Sequence, residues 1–556
     1  MPQNPEYPSA PLHVPITIPE PSLDFKKQAK KVLASIILFF ILYLTMMVLA
    51  VMFVTACIYI GFLIIASMLN LFIIILGIGV IGLGIMVFIF LIKFLFAVSK
   101  TDQSGNIEIT EHEQAELFNF IKQLTIDTQT QFPGKIFLSP EVNACVFYNS
   151  SFWSMFFPVR KNLQIGLGLV NVLSVSEFKA VLAHEFGHFS QKSMKLGSYV
   201  YNLNRVIYNM LYENKDYGNF LNGWAKIHSA FALFANITVQ IVKAIQWMLK
   251  QQYKVINKNY YSLSREMEFH ADAIAASVSG SNNMIMALRK VELGASCYDA
   301  ALQQCDVLLK EKRKSENVYS NQQTVLLYVA KEYQLPLINN QVSVPNEFLY
   351  ANKFSRLNYK NQWASHPALK EREEHLNLSH AGNASDERLA WILFSQPEQL
   401  QKELTQKIYS LAKVEKGFEN IDKTVFDENY ISEIEKNSYP KAYKGYYNGR
   451  WIHDTNIDAL ALTVQQNDTD KENFSDLFAD DKQFLFKKIE ALENDIRMLQ
   501  AIAGKQIDVK TFDFDGNKYD SASAADIKTK LEEELKGLRL ALEKNDEKVV
   551  QFFYRK

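Results

Sequence analysis

The chain has few cysteines and almost no net charge, and both shortages narrow the classes of protein it can belong to. Its 556 residues include four cysteines, which form no CxxC pair and no dense framework: Cys57, Cys145, Cys297 and Cys305. We therefore expect no structural disulfides and a location on the reducing side of a membrane. Lysine plus arginine number 59 and aspartate plus glutamate 60. A nucleic-acid binder normally carries a basic excess or patch, so no nucleic-acid partner is expected.

Charged side chains are absent altogether from residues 32–92. A bilayer-spanning helix needs about 20 apolar residues, so this segment predicts a transmembrane helical hairpin that turns around residues 60–67; three spans are the alternative. Basic residues remain on the cytoplasmic side of a bacterial membrane. Lysines flank both ends of the segment, at Lys26, Lys27, Lys30 and Lys31 before it and Lys93 and Lys100 after it. We therefore expect an even number of crossings, a lipid bilayer as a partner, and a cytoplasmic C-terminal portion.

The segment ahead of the hairpin is rich in proline. Residues 1–25 hold seven of the 15 prolines, which predicts a disordered tail. A cleaved signal peptide is not expected, because the apolar segment starts too far into the chain and is too long. Inside the hairpin, Gly77, Gly79 and Gly82 spell GxGxxG. In an apolar span these glycines indicate helix packing rather than a dinucleotide-binding loop.

The stretch VLAHEFGHFS, residues 181–190, contains two histidines four residues apart. Ser174 followed by Glu177 is the pattern of a capping box, which predicts that a helix begins there. His184 and His188 then lie one turn apart on the same helical face and can reach one metal ion. Glu185 can serve as a base toward a water molecule beside that ion. The alternative is an ordinary helix that happens to carry this spelling.

A catalytic zinc needs a third protein ligand, and the stretch SREMEFHADAIAA at 264–276 offers one. Glu268 is the candidate ligand. Asp272, one helical turn later, is placed to accept a hydrogen bond from a ligand histidine and so orient its ring. His270 falls roughly on the opposite face and is not counted as a ligand. A solvated acidic helix face is the alternative explanation.

The pairing of HEFGH with SREMEFHAD resembles the family of integral-membrane zinc metallopeptidases that includes HtpX and the CAAX prenyl proteases. VNACVF at 142–147 and SHPALKER at 365–372 resemble two further motifs of that family, and all four occur in the family's order. The resemblance covers residues 100–380 and implies an α+β, zincin-like metallopeptidase domain behind the hairpin.

The resemblance also implies roles for individual residues. One Zn²⁺ would be bound by His184, His188 and Glu268, with Glu185 as catalytic base. His366 would stabilise the oxyanion, Arg372 would brace the site, and Asn143 would hold the substrate backbone on an edge strand. Each of the last three has an alternative: His366 precedes proline and could start a helix, Arg372 lies in a charged stretch typical of a solvated face, and Asn143 could be a turn residue.

One segment departs from the HtpX pattern, which has a second hydrophobic pair after the zinc helix. Residues 229–249 carry Asn236, Gln240 and Lys243 at helical spacing. This polar stripe predicts an amphipathic helix that lies on the bilayer or packs in the core, rather than a span. The site would then be more open than in the relatives.

From residue 385 to residue 556 the resemblance stops, and we expect a mainly helical C-terminal extension. Amphipathic helices are predicted at 482–504 and 524–553, with a hairpin at 509–521 that turns at Asp515-Gly516-Asn517. The acidic residues of this hairpin do not fit the spacing of an EF-hand calcium loop. The role of the extension is left open.

Three hypotheses of function follow. The first is a membrane-anchored zinc endopeptidase of a bacterial inner (cytoplasmic) membrane that acts on peptides or on unfolded or membrane proteins in quality control. The second is a processing peptidase of narrow specificity, and the third is a non-catalytic membrane scaffold that retains the zinc fold. The sequence selects neither a substrate nor an oligomeric state.

Overall fold

The structure is a computed structural model of the chain. It describes residues 7–11, 19–68, 70–92, 103–147, 160–190, 199–200, 203–204, 207–208, 210–212, 215–339, 341–350, 354–358, 366–378, 385–414, 417–450, 473–507, 509 and 511–554.

Internal contacts divide the chain into two compact units. Unit 1 comprises Met1–Lys312, Glu316–Ser343 and Trp363–Phe418, and unit 2 comprises Arg313–Ser315, Val344–Gln362 and Glu419–Lys556. This division differs from the extension predicted to begin at residue 385, because residues 385–418 join unit 1. The backbone N–H of Val175 donates to the carbonyl of Arg388, and that of Ala390 donates to the carbonyl of Leu173, so this stretch is bound to the start of the helix that carries His184 and His188.

Unit 1 begins with two long helices, α1 (Leu23–Ser67) and α2 (Leu71–Ile92). The hairpin turn lies after Ser67, just beyond the predicted stretch. The helices cross at Gly61 and Gly77, where a Cβ on either residue would lie 2.7 Å from the other's carbonyl oxygen. Glycine therefore allows the close crossing, which confirms the interpretation of GxGxxG as a packing motif.

Further helices pack against this hairpin: α6 (Lys215–Ala225), the 51-residue α7 (Ser229–Ser279) and the helical residues 199–200, 203–204, 207–208 and 210–212. Their shared apolar cluster includes Phe39, Phe90, Leu203 and Leu249. By length and composition, α1, α2 and α7 are each able to span a bilayer. The helix α7 is thus a third candidate span where an amphipathic helix was predicted, and the prediction that 229–249 does not cross the bilayer stays a prediction.

A four-stranded sheet is formed by the part of the sequence between α2 and α6. Its strands are β1 (Ile107–Ile109), β2 (Ile136–Ser139), β3 (Ala144–Phe147) and β4 (Asn162–Gly166). They follow the order β1-β2-β4-β3, in which β2 and β4 are parallel and the other pairs antiparallel. The strand β3, which follows Asn143, therefore forms an edge of the sheet.

The remaining helices of unit 1 lie between residues 115 and 411 of the chain. They are α3 (Ala115–Asp127), α4 (Leu167–Val170), α5 (Val175–Ser190), α8 (Ser281–Lys310), α9 (Val318–Glu332), α10 (Leu369–Asn377) and α11 (Pro397–Leu411). Leu337–Ile338 and Gln341–Val342 form a short antiparallel pair. This mixture of helices and sheet confirms the predicted α+β class.

The N-terminal segment differs in part from the predicted disordered tail. The hydroxyl of Tyr7 donates to Asp127 on α3 over 2.7 Å. The ammonium group of Lys179 on α5 donates to the carbonyl of Pro8 over 2.7 Å, and His270 on α7 hydrogen-bonds the carbonyl of Pro19 over 2.8 Å. These parts of the segment pack on unit 1 because buried donors of α5 and α7 need acceptors.

Unit 2 contains short strands and several helices. Helices lie at Asn346–Tyr350, Lys423–Asn437, Phe474–Leu477, Asp480–Gln483, Leu485–Ala503 and Ala524–Tyr554. Arg313–Ser315 pairs with Glu419–Ile421, and Thr511–Phe514 pairs with both Leu357–Asn358 and Asn517–Asp520. The predicted hairpin is confirmed, with positive φ angles at Asp515 and Gly516 in its turn.

Candidate metal centre

The start of α5 is fixed by the predicted capping box. The carboxylate of Glu177 accepts a hydrogen bond from the backbone N–H of Ser174 over 2.8 Å, and the Ser174 hydroxyl accepts one from the N–H of Glu177 over 3.3 Å. The ammonium group of Lys290, on α8, donates to the same carboxylate over 2.8 Å. A buried ion pair thus holds the first turn of the helix that carries His184 and His188.

The helix α5 crosses α7 at close range, and Gly187 makes that possible. A Cβ on Gly187 would lie 3.0 Å from the Cα atom of Ala271. The glycine of HEFGH therefore lets the two backbones approach, and Glu268 and Asp272 on α7 come opposite the histidines of α5. The sequence showed this glycine within the motif, but only the partner helix gives the reason for it.

Three candidate ligands converge at this crossing. One ligand atom from each of His184, His188 and Glu268 can be chosen so that all three lie within 4.8 Å of one another. Each histidine Nε2 is 3.4 Å from an oxygen of Glu268, and the two Nε2 atoms are 3.2 Å apart. The side chains of His184 and Glu268 are only 8% and 6% exposed, and that of His188 is 19% exposed. The site is thus closed on the His184 side and more open at His188.

Asp272 and Arg372 lie behind the ligands. Nδ1 of His184 is 2.9 Å from Asp272 Oδ1, so the carboxylate accepts the N–H and leaves Nε2 directed at Glu268. Arg372 donates to both oxygens of Asp272, over 2.5 and 2.8 Å. The sequence-predicted role of Asp272 and Arg372 as supports of the site fits this geometry and remains a prediction of function.

The helix α10, which carries Arg372, is held on α8 by a contact that the sequence did not reveal. On α10, Glu373 receives two hydrogen bonds from Arg289 of α8, over 2.7 and 3.1 Å. Glu373 is buried, although the charged stretch LKEREEHL suggested a solvated face. Only the packing of α10 on α8 distinguishes the buried carboxylate of Glu373 from the other charged side chains of α10. Periodicity in the sequence could therefore not have identified Glu373.

His366 lies at the mouth of the same cluster. Its Nδ1 atom is 3.1 Å from Glu268 Oε1, and its side chain is 66% exposed. An exposed histidine beside the ligand carboxylate can reach both the site and an incoming substrate. This placement is compatible with the predicted stabilisation of an oxyanion, which stays a prediction.

The charges of the cluster shift its pKa values strongly. Burial disfavours a charged His184, but hydrogen bonds to Asp272 and Glu268 outweigh it and raise its pKa to about 10. Burial would raise the pKa of Glu268, yet hydrogen bonds from the three histidines lower it well below its usual value. Burial likewise raises the pKa of Glu185, partly offset by the neighbouring histidines. The raised pKa of His184 and the lowered pKa of Glu268 both indicate a site that favours positive charge.

Asn143 immediately precedes the edge strand β3. Asn143 is exposed, and its carbonyl accepts a hydrogen bond from the N–H of Gly166 on β4 over 2.7 Å, so its backbone is joined to the sheet. Burial first, and then the charges of Glu185 and Glu141, raise the pKa of the Cys145 thiol on β3 to about 12. The edge strand is thus within electrostatic range of Glu185, while the substrate-binding role of Asn143 stays a prediction.

The donor set suits zinc. Two imidazole nitrogens and one carboxylate oxygen are a ligand set typical of catalytic zinc, which keeps a further position open. Asp272 supplies the carboxylate that such histidine ligands usually have behind them. We therefore judge that His184, His188 and Glu268 fit a Zn²⁺ ion.

Comparison with known proteins agrees with this geometry. Residues 135–379 match the model of peptidase family M48. Protease HtpX of Wigglesworthia glossinidia brevipalpis is 30% identical over 145 residues, which cover 23% of this chain and 44% of the relative. Protease HtpX of Pectobacterium carotovorum subsp. carotovorum (strain PC1) is 25% identical over 203 residues, which cover 33% and 62% of the two chains.

A third relative extends this list to another organism. The Protease HtpX homolog of Gemmatimonas aurantiaca is 28% identical over 129 residues, covering 23% of this chain and 42% of the relative. The chain spans about half the length of the curated relatives it matches. No solved structure gives a significant match. Residues 135–379 therefore match a peptidase M48 domain, and over part of that region the chain is similar to HtpX proteases.

Proposed function

We propose that the chain is a membrane-anchored, zinc-dependent endopeptidase. The observation that carries the proposal is the convergence of His184, His188 and Glu268 within 4.8 Å, at the crossing of α5 and α7. The match of residues 135–379 to a peptidase family and the apolar helices of unit 1 support the same function.

When bound, zinc would supply a Lewis acid that activates a water molecule and polarises the scissile carbonyl. His184, His188 and Glu268 would hold it, and Asp272 would keep the His184 ring in one tautomer. Glu185 would accept a proton from the attacking water and later return it to the leaving amine. Its raised pKa favours both halves of this exchange, because the carboxyl can be reprotonated more readily than an exposed glutamate.

The substrate is proposed to bind as an added strand along β3. Main-chain hydrogen bonds from an edge strand tolerate many side chains, which suits degradation of unfolded or membrane proteins in quality control. Asn143 would help to hold the substrate backbone, and His366 would donate to the oxyanion. We place the protein in a bacterial inner membrane with unit 1's metal centre on the cytoplasmic side, following the lysine bias around the hairpin.

The test pairs metal content with proteolysis in the wild type and in Glu185→Gln. We expect about one zinc ion per chain in both proteins. An unfolded protein substrate should be cleaved by the wild type only, because the variant keeps the ligands and loses the base. If both bind zinc and neither cleaves unfolded protein or membrane-derived peptides, a processing peptidase of narrow specificity or a scaffold is the better description. If neither binds metal, the proposal fails.

A further inference from the structure

The helix α7 joins the membrane portion of unit 1 to the metal centre without a break. Its 51 residues run from the apolar half at 229–249 to Glu268 and Asp272. An α-helix rises about 1.5 Å per residue, so residue numbers along α7 measure distance from the membrane. The location of the bilayer boundary on α7 therefore fixes the height of the metal centre.

Contacts with the hairpin locate that boundary. The 22 residues of α2 span about 33 Å, close to the roughly 30 Å of a hydrocarbon core, and Lys93 follows its last residue, Ile92. The hydroxyl of Tyr43 on α1 donates to the carbonyl of Leu91 over 2.9 Å, so Tyr43 is near the same level. The amide of Asn259 on α7 donates to Ser35 of α1 over 2.6 Å.

The boundary on α7 follows from these two bonds. Tyr43 is eight residues beyond Ser35 on α1 (43 − 35 = 8). The helix α7 runs antiparallel to α1, as α2 does. The level of Tyr43 is therefore reached on α7 eight residues before Asn259, at Gln251. Helix crossing angles shift this level by at most about one turn, or roughly 5 Å.

The exposed side chains of α7 agree with this level. Trp247 is 64% exposed, and Lys250, Lys254 and Lys258 follow it on the exposed surface. Tryptophan is enriched at membrane–water interfaces and lysine just outside them. Lys243 is also exposed and lies eight residues inside this level, so exposed lysines become more frequent across the boundary rather than first appearing there.

The exposed apolar side chains of α1 favour a boundary closer to the metal centre, whereas the lysines of α7 favour the boundary near Gln251. The exposed apolar side chains of α1 continue past Tyr43 to Ile41, Ile37 and Leu33. A bilayer that reached Leu33 would place Lys254 and Lys258 in hydrocarbon, where charged side chains are costly. The cost of two buried ammonium groups exceeds the cost of leaving a few apolar side chains at the surface, so the boundary near Gln251 is favoured.

We propose that the metal centre stands about 25 Å outside the hydrocarbon core, and that membrane-attached substrates are cleaved only beyond a minimum distance from the bilayer. Glu268 is 17 residues past Gln251 (268 − 251 = 17), which corresponds to about 25 Å of helix. An extended chain covers about 3.3 Å per residue, so the scissile bond must lie about eight residues outside the bilayer. This rule rests on the proposed peptidase function and defines its substrate class.

The test uses one cleavable unfolded segment joined to an inert transmembrane helix by stiff proline-rich spacers of about 2, 5, 8, 11 and 14 residues, each adding about 3.1 Å per residue. The full-length enzyme and the substrates are placed in the same vesicles, with the spacer on the side of the metal centre. We expect at least tenfold slower cleavage with the two shortest spacers and a plateau from about 11 residues. Equal rates with all five spacers would overturn the proposal.

Two controls separate this rule from the function on which it rests. The same segment without its transmembrane helix should be cleaved by the wild type and not by Glu185→Gln; failure here counts against the peptidase function. The height itself is measured without activity. A fluorescent label at Ile237→Cys should be quenched by brominated lipid, whereas a label at Lys258→Cys should not, relative to labelled wild type. Equal quenching of both labels would refute the boundary and with it the proposal.

Discussion

At the scale of single residues, Asp272 holds the imidazole ring of His184 in one orientation. Its carboxylate accepts the Nδ1–H of His184 over 2.9 Å and is itself held by Arg372. In Asp272→Asn the amide can still lie in the same place, but it is a weaker acceptor and no longer fixes the tautomer. We expect about 10- to 100-fold weaker zinc binding, measured by competition with a chelator of known affinity.

The matched control is Asp299→Asn, which removes a carboxylate from an exposed position of α8. Its zinc affinity should equal that of the wild type. Wild-type affinity in Asp272→Asn as well would show that Asp272 is a packing residue and that His184 needs no such partner.

Lys179 is a buried cation on the opposite side of α5 from the metal centre. Its side chain is fully buried, and it donates to the carbonyls of Pro8 and Val278. Burial lowers its pKa from 10.5 to about 8, although Asp127 nearby opposes the shift. Between these two values the unfolded chain binds more protons than the folded protein, so this residue makes stability rise with pH across that window.

The pH dependence is best measured as a difference between the wild type and Lys179→Met. From pH 8 to pH 10.5 the wild type should gain up to about 3 kcal/mol of unfolding free energy relative to the variant. Thermal or denaturant unfolding in detergent at a series of pH values gives this difference. A difference that stays constant with pH would mean that Lys179 titrates at its ordinary pKa.

At the scale of elements, the crossing of α5 and α7 depends on the missing side chain of Gly187. A methyl group there would lie 3.0 Å from Ala271 Cα and 3.3 Å from Ala271 Cβ, so Gly187→Ala must push the helices apart. We expect about 1–3 kcal/mol of destabilisation, because the contact is with backbone that cannot rotate away. Zinc affinity should fall as well, since the ligands lie on the two helices that separate.

Gly218→Ala on α6 is the control, because a Cβ there meets no atom within 4 Å. It should leave zinc affinity unchanged. If Gly187→Ala also retained full zinc affinity, the crossing would be adaptable and the glycine would not be required for the site.

The sequence predicted those elements whose signals are local. The capping box at Ser174, the hairpin at 509–521 and the helices near 482–504 and 524–553 each depend on a few neighbouring residues, and each is present. The alternation in NLQIGLGLV, residues 162–170, predicts a strand, but β4 ends at Gly166, because Gly166 approaches the backbone of Glu141 and the chain turns into α4. Periodicity within one segment cannot report such a contact from another segment.

The same limit applies to the metal centre. His184, His188, Glu268 and Asp272 could be found because helical spacing alone places each pair on one face. Helical spacing could not identify Lys290 and Arg289. These two residues hold the helices of the site through Glu177 and Glu373. Their partners lie 113 and 84 residues away along the chain, and a lone lysine or arginine in a helix is most often solvated.

At the scale of the whole molecule, unit 2 has a buried centre of its own. Arg450 donates to both oxygens of Asp546 over 2.6 and 2.8 Å, and the Tyr446 hydroxyl donates to Asp546 over 2.8 Å. The side chains of Arg450 and Asp546 are 2% and 3% exposed. Asp546→Asn would leave the guanidinium buried without its counter-charge, which typically costs about 3–5 kcal/mol.

We therefore expect Asp546→Asn to make unit 2 more sensitive to limited proteolysis in the full-length protein, while the zinc content is unchanged. Asp481→Asn, at an exposed position of the same unit, should behave as the wild type. Loss of zinc in Asp546→Asn would show that the two units do not fold independently.

The two ends of the metal centre lie far apart in the chain. His188 and Glu268 are separated by 80 residues (268 − 188 = 80), and they belong to different helices. An ion held by both would act as a cross-link that closes this long loop, which in the chain-entropy model is worth on the order of 4 kcal/mol. A chelator would thus remove a cross-link between α5 and α7, and it would lower the stability of the site as well as its metal content.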